Sequence, residues 1–153
     1  MNAEQRIKEL GYVLPTGRKP MANYVLWKRV GNMVYLSGHG CNGEEETWVG
    51  KVGKDLTVEQ GYEAARSCGL ALLATLKSAI GDLDKVKNIV KVLGMVNSAD
   101  DFGDQPKVIN GASDLFVEVF GEKGRHARSA VGMAGLPRNI PVEIEMIVEV
   151  EPE

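Results

Sequence analysis

Two side chains in the C-terminal quarter of the chain have the types to do chemistry together: Arg128 in HARSAVGMAG and Glu143 in IPVEIEMIVEV. A guanidinium holds a carboxylate by two parallel hydrogen bonds. A nearby carboxyl group can position or deprotonate a water. An anchor for a carboxylate beside a water-holding acid is a minimal apparatus for hydrolysing a small organic acid. Residues 126–150 read as an antiparallel β-hairpin turning near Gly135-Leu136, which would set 128 opposite 143. The same spacing is also read as an ordinary cross-strand ion pair, contributing about 0.2–1 kcal/mol. Glu145 lies two residues past Glu143 and shares its strand face.

Other candidates are weaker. His39 and Cys41 are two residues apart, so on a strand they share a face and the imidazole could activate the thiol. Cys41 sits in the polar stretch GHGCNGEEET and is expected to be exposed, whereas Cys68 lies among Ala and Leu in a helical pattern and is expected to be buried. Two His and two Cys at no ligand spacing give no zinc site. Arg125 and His126 read as solvent or rim groups.

These residues need elements to hold them. A short helix is expected over residues 3–10, ended by Gly11, with loop over 15–22. Strands are expected over 24–30 and 33–37 about the turn pair Gly31-Asn32, then loop over 38–46 and a short strand over 47–52. Thr57-Val58-Glu59-Gln60 has capping-box form, and Val58, Tyr62, Ala65, Gly69, Leu72, Leu76 and Ile80 recur on one helical face before Gly81. The small residues around Gly69 suit a close approach to a sheet. Residues 86–96 are β-branched and read as a strand. A second helix starts near Pro106, carries Val108, Ala112, Leu115 and Val119 as its stripe, and stops at Gly121.

The order of elements predicts an α+β fold: a two-layer sandwich of a mixed sheet with two main helices on one face, plus the short N-terminal helix. The 153 residues form one domain, with 1–22 as an N-terminal extension, and show no repeat or linker. A net charge of −3 gives no general attraction to nucleic acid or to an anionic membrane surface. No run reaches the roughly 20 apolar residues of a membrane span, and the polar start MNAEQRIKELG has no signal-peptide core, so a cytoplasmic location is expected.

The string ARSAV…LP…VEIE resembles the C-terminal signature of the RidA family, also called YjgF and formerly endoribonuclease L-PSP. GNMVYLSGH at 31–39 resembles the family's Gly-Asn…Ser-Gly-Gln strand, and the likeness covers roughly residues 20–150. It implies the chorismate-mutase-like fold and a homotrimer with clefts between subunits. It also implies an activity: hydrolysis of reactive 2-imino or enamine acids to 2-keto acids and ammonia, without metal or organic cofactor. By that resemblance Arg128 holds the substrate carboxylate and Glu143 the water. Ser37, Gly38 and Ala130 line the pocket, Tyr24 reaches in from a neighbouring subunit, and Asn110 matches a cleft asparagine across a one-residue gap. Local readings stand beside these: Tyr24 as an edge-strand aromatic, Ser37-Gly38 as a strand end, Asn110 as a locally bonded helix residue. The chain departs from the pattern at Ala130, where the family commonly has Cys, and at His39-Gly40-Cys41-Asn42. The N-terminal helix and the 98–107 loop look like additions to the shorter family core, and all three departures bear on substrate choice. A non-catalytic binder or sensor of small carboxylates is the alternative function. A ribonuclease ranks third, because the chain shows no basic stripe or aromatic stacking platform.

Overall fold

The computed structural model describes residues 2–16, 19–20, 22–41 and 48–153. Helix α1 spans Ala3–Glu9, strand β1 Trp27–Val30, β2 Met33–Gly40, helix α2 Val58–Ile80, β3 Val86–Asn97, α3 Gln105–Phe120, β4 Ala127–Met133 and β5 Val142–Val150. The five strands form one mixed sheet in the order β1-β2-β5-β3-β4. Helices α2 and α3 cover one face, as the sequence predicts. No helix among the described residues is long and apolar enough to cross a membrane.

The expected C-terminal hairpin does not form. β5 lies antiparallel between β2 and β3, and β4 lies on the far side of β3, parallel to it. Burial decides this order. Every second residue of β5, namely Val142, Ile144, Met146, Val148 and Val150, is at most 2% exposed against the helix layer. At ~1.5–3 kcal/mol per buried side chain, that row contributes roughly 10 kcal/mol in the centre of the sheet. β4 offers Arg128, Ala130 and Gly132 at the alternate positions and suits an edge. The crossover between them carries Pro137 and Pro141 and two residues in the left-handed region, Arg138 (φ 55°) and Asn139 (φ 56°). A two-residue hairpin turn has no room for such a segment.

Four smaller expectations also change. β1 begins at Trp27 rather than residue 24, and β2 continues through Gly40 where loop was expected. Of the expected strand at 47–52, Thr47 lies outside the described residues, and Val52 makes only isolated bridges to Leu56 and Ser98. The expected loop positions 42–46 also lie outside the described residues. Gly69 closes against Leu115 and Ala112 of α3, not against the sheet. Gly111 completes that helix contact, since a Cβ there would run into the main-chain carbonyl of Tyr62 on α2.

The helix caps follow the sequence. Thr57 and Gln60 form the predicted capping box on α2, and Asn2 and Gln5 form another on α1. The N-terminal helix docks through buried Ala3 and Ile7, and Ala3 N donates to Asp84 Oδ1 at 2.8 Å.

Candidate active site

Within one chain, the predicted site residues fall into two groups on opposite faces of the sheet. Arg128 on β4 lies beside Val92 of β3, which is buried against the helices. Its side chain turns toward α3, where Nη1 donates to Asn110 Oδ1 at 2.8 Å and to Ser113 Oγ at 3.1 Å. Asn110 and Ser113 are one helical turn apart, so α3 presents both to the same guanidinium nitrogen. Ala130 follows two residues along β4 on the same face, beside Gly94. Asn110 is thus the polar partner of the arginine that the resemblance implies, and its role reaches beyond a local helix bond.

Two residues missed in the sequence extend this group. Ser113 Oγ lies 2.9 Å from Nε2 of His126, and Nδ1 of that ring lies 2.6 Å from the carbonyl of Gly124. His126 is therefore no rim group. Phe116 meets its ring edge-on at 5.9 Å. Burial pushes the His126 pKa down, the hydrogen bond to Gly124 opposes this, and the charge of Arg128 adds to the lowering. A signal was present in the chain: 126 and 128 alternate on one face, and 110 and 113 share a helix face. Arg125 does behave as expected, exposed and 3.1 Å from Glu122.

Glu143 belongs to the other group. It pairs with Gly40 of β2 and Met95 of β3 and points away from the helix layer. Between it and Arg128 stand one intervening strand and three residues of register, roughly 14 Å between Cα atoms from standard strand spacings. The two cannot share a small ligand within a single chain. The Glu143 carboxyl lies over Gly38, where any Cβ would collide with Oε2. Burial raises its pKa, Glu145 raises it further, and Arg138 opposes. Gly38 is held at a register shift between Leu36 and His39. Ser37 Oγ donates to the Val25 carbonyl at 2.6 Å and ties in the segment entering β1. Ser37-Gly38 is therefore part of the Glu143 surface rather than a strand end. Tyr24 precedes β1 with its side chain exposed, at the sheet edge opposite β4.

The His39-Cys41 pair is not a site. His39 is 1% exposed and bonded through Nε2 to Thr75 Oγ1 of α2 at 2.7 Å, and Cys41 is fully buried where exposure was expected. Cys68 is buried as predicted. Among the described residues no three His, Cys, Asp or Glu side chains stand together as a metal cluster. A hollow of about 370 Å³ lined by Leu14, Pro15, Ala74, Lys77, Ser78 and Gly81 contains none of the site residues.

The mixed five-stranded sheet, its parallel β3-β4 edge and the helices on one face define a chorismate-mutase-like protein. The chain belongs to the YjgF/RidA family: the model described as "YjgF/chorismate mutase-like, putative endoribonuclease" matches residues 4–150. Protein TCP17 of Trypanosoma cruzi is 43% identical over 151 residues, covering 94% of this chain and 91% of that protein. The crystal structure of a "putative endoribonuclease" from Shewanella oneidensis superposes with a TM-score of 0.94 at 32% identity, covering 98% of this chain and all of that one. A 2-iminobutanoate/2-iminopropanoate deaminase of Dermatophagoides farinae is 31% identical over 138 residues, 90% of this chain and 93% of that enzyme.

Proposed function

We propose that the protein is a hydrolytic deaminase of reactive 2-imino acids, working as a homotrimer whose sites lie between subunits. The observation that carries this reading is the state of Arg128. Both of its bonds to α3 leave from Nη1. Among the described residues, the Nε–Nη2 edge is left to grip a carboxylate through two parallel hydrogen bonds. The relative from Dermatophagoides farinae supports the class of substrate.

The reaction runs as follows. Arg128 of one protomer holds the carboxylate of the iminium acid. Glu143 of an adjacent protomer, lying over Gly38, holds a water against the C=N carbon. Water oxygen bonds to that carbon, the C=N pair moves to nitrogen, and the water proton passes to Glu143. The carbinolamine nitrogen then takes up that proton, the C–N bond breaks with its electron pair on ammonia, and a hydroxyl lone pair closes the C=O bond as the hydroxyl proton passes to the Glu143 carboxylate, giving the 2-keto acid. A carboxyl group with a raised pKa suits both accepting and returning the proton. Tyr24 would close the cleft from the Glu143 side, and Ala130 leaves room beside the carboxylate.

A coupled assay tests this. Threonine dehydratase generates 2-iminobutanoate, semicarbazide traps the free imine, and hydrolysis appears as loss of the trapped product. Activity that collapses in Arg128→Ala is the expected result. Binding of 2-oxobutanoate without any imine hydrolysis would replace the deaminase with the carboxylate-binding alternative.

A further inference from the structure

Arg128 is the last link of a hydrogen-bonded chain that begins at a glycine. In Gly124, a Cβ would overlap the carbonyl of Phe116, so only glycine lets the 121–124 turn seat against the end of α3. That seat fixes the Gly124 carbonyl, which can only accept. The nitrogen 2.6 Å from it, His126 Nδ1, therefore carries the ring proton. In the neutral ring Nε2 is then an acceptor, and the hydroxyl hydrogen of Ser113 is committed to it at 2.9 Å. The remaining lone pairs of Ser113 Oγ face Arg128 Nη1 at 3.1 Å. Each donor in the chain has one acceptor, so the direction of every hydrogen is determined.

We propose that His126, acting through Ser113, is a positioning residue for the carboxylate clamp: it orients the Ser113 hydroxyl so that Arg128 is anchored by Nη1 and presents its Nε–Nη2 edge to the ligand. This deepens the function proposed above and rests on it for the class of ligand. Asn110 alone would anchor one Nη1 hydrogen and leave the guanidinium free to swing about that single contact. With Ser113 it is held at two points. The edge-on ring of Phe116 keeps the imidazole plane in place. The neutral ring is the favoured form in this half-buried position, because burial and the charge of Arg128 both disfavour a second proton.

The test is binding of 2-oxobutanoate by calorimetry at pH 7.5, with steady-state kinetics on 2-iminobutanoate beside it. Ser113→Ala and His126→Ala are expected to weaken binding about tenfold, as loss of one hydrogen bond to a charged group predicts. They should raise KM by a similar factor and leave kcat nearly unchanged. His126→Gln restores an acceptor near the Nε2 position and is expected to bind within about threefold of the parent, a rescue that a merely structural role would not predict. Nitrogen NMR of the parent protein is expected to find a neutral imidazole protonated on Nδ1, and Arg128 Nη1 hydrogens whose slow exchange is lost in Ser113→Ala. An Nε2-protonated ring, or His126→Ala binding as tightly as the parent, would overturn the proposal. If the parent ignores 2-oxobutanoate while the tautomer and the slow Nη1 exchange are as expected, the clamp stands and the ligand class fails. If the parent binds the keto acid and leaves imines untouched, the clamp stands and the deaminase reading fails.

Discussion

The surroundings of Arg128 and Glu143 are built on opposite principles. Arg128 is held before any ligand arrives, by Asn110 and Ser113, with His126 behind them. The Glu143 carboxyl accepts no hydrogen bond among the described residues, is half-buried beside Glu145, and has its pKa raised first by that burial. One group is pre-organised and stable; the other is kept in an environment that disfavours its charge. The difference is what the proposed divided site would need. A binding group costs least when its orientation is already set, while a proton-handling group works best with its pKa moved toward the working pH.

The largest effect that could break this comparison comes from mixing subunits. Arg128→Ala and Glu143→Gln should each lose about a hundredfold or more of imine turnover, as loss of a charged group from a closed site does. Combined one to one and refolded into the proposed trimer, the two inactive variants should regain about a quarter of parent activity, because one cleft in four would pair an intact Arg128 with an intact Glu143. A mixture as dead as its components would place both residues in one protomer's own site, against the geometry, or remove one of them from the chemistry.

Next in size is Gly38→Ala. Its methyl group would collide with the Glu143 carboxyl and push it aside. Turnover should fall about tenfold, as misplacement of a positioned group predicts, while 2-oxobutanoate binding, which depends on Arg128, stays within twofold. Equal losses in both measurements would show that the two half-sites are not separable.

A smaller effect concerns stability. The pKa of Glu143 is raised in the fold. Its favourable contribution is therefore full below the unfolded pKa and lost as pH rises through the folded value. At pH 7.5 the ionised group opposes folding, and Glu143→Gln should raise the melting temperature by about 1–2 °C, the shift being modest because solvent screens a half-exposed group. No change, or a fall, would mean that Glu143 is a structural ion-pair partner.

The smallest effect has the opposite sign. The pKa of His126 is lowered in the fold, so its contribution is present above about pH 6.5 and is lost as pH falls through the lower folded value. The stability difference between parent and His126→Gln should shrink by about 1 °C or less in melting temperature between pH 7.5 and 5. A difference that grows on acidification would mean that the ring is charged in the fold.

Much of this could be read in the chain, and the failures share a cause. The capping box at Thr57, the apolar stripe of α3 and the β-branched run of β3 are local patterns, and they formed as expected. The polar constellation about Arg128 was half legible: Arg128 and Asn110 were named, while Ser113 was passed over and His126 was read as a rim group, although each stands on the same face as one of them. The hairpin of β4 and β5 was misread because equal spacing about a turn describes one arrangement and says nothing of its competitors. Cys41 was misread because its exposure was inferred from the polar residues near it, when the strand just before it runs on to Gly40 under α2.

By itself the sequence determined where the main helices and strands form and which side chains have the chemistry to hold a carboxylate and a water. Those are properties of residue type and period, and they need no partner from elsewhere in the chain. Tertiary structure decided that β5 enters between β2 and β3, and so decided that Arg128 and Glu143 face opposite ways. Strand order is a contest among edges distant in sequence, settled by how much apolar surface each arrangement removes from water. No local pattern states the outcome of that contest.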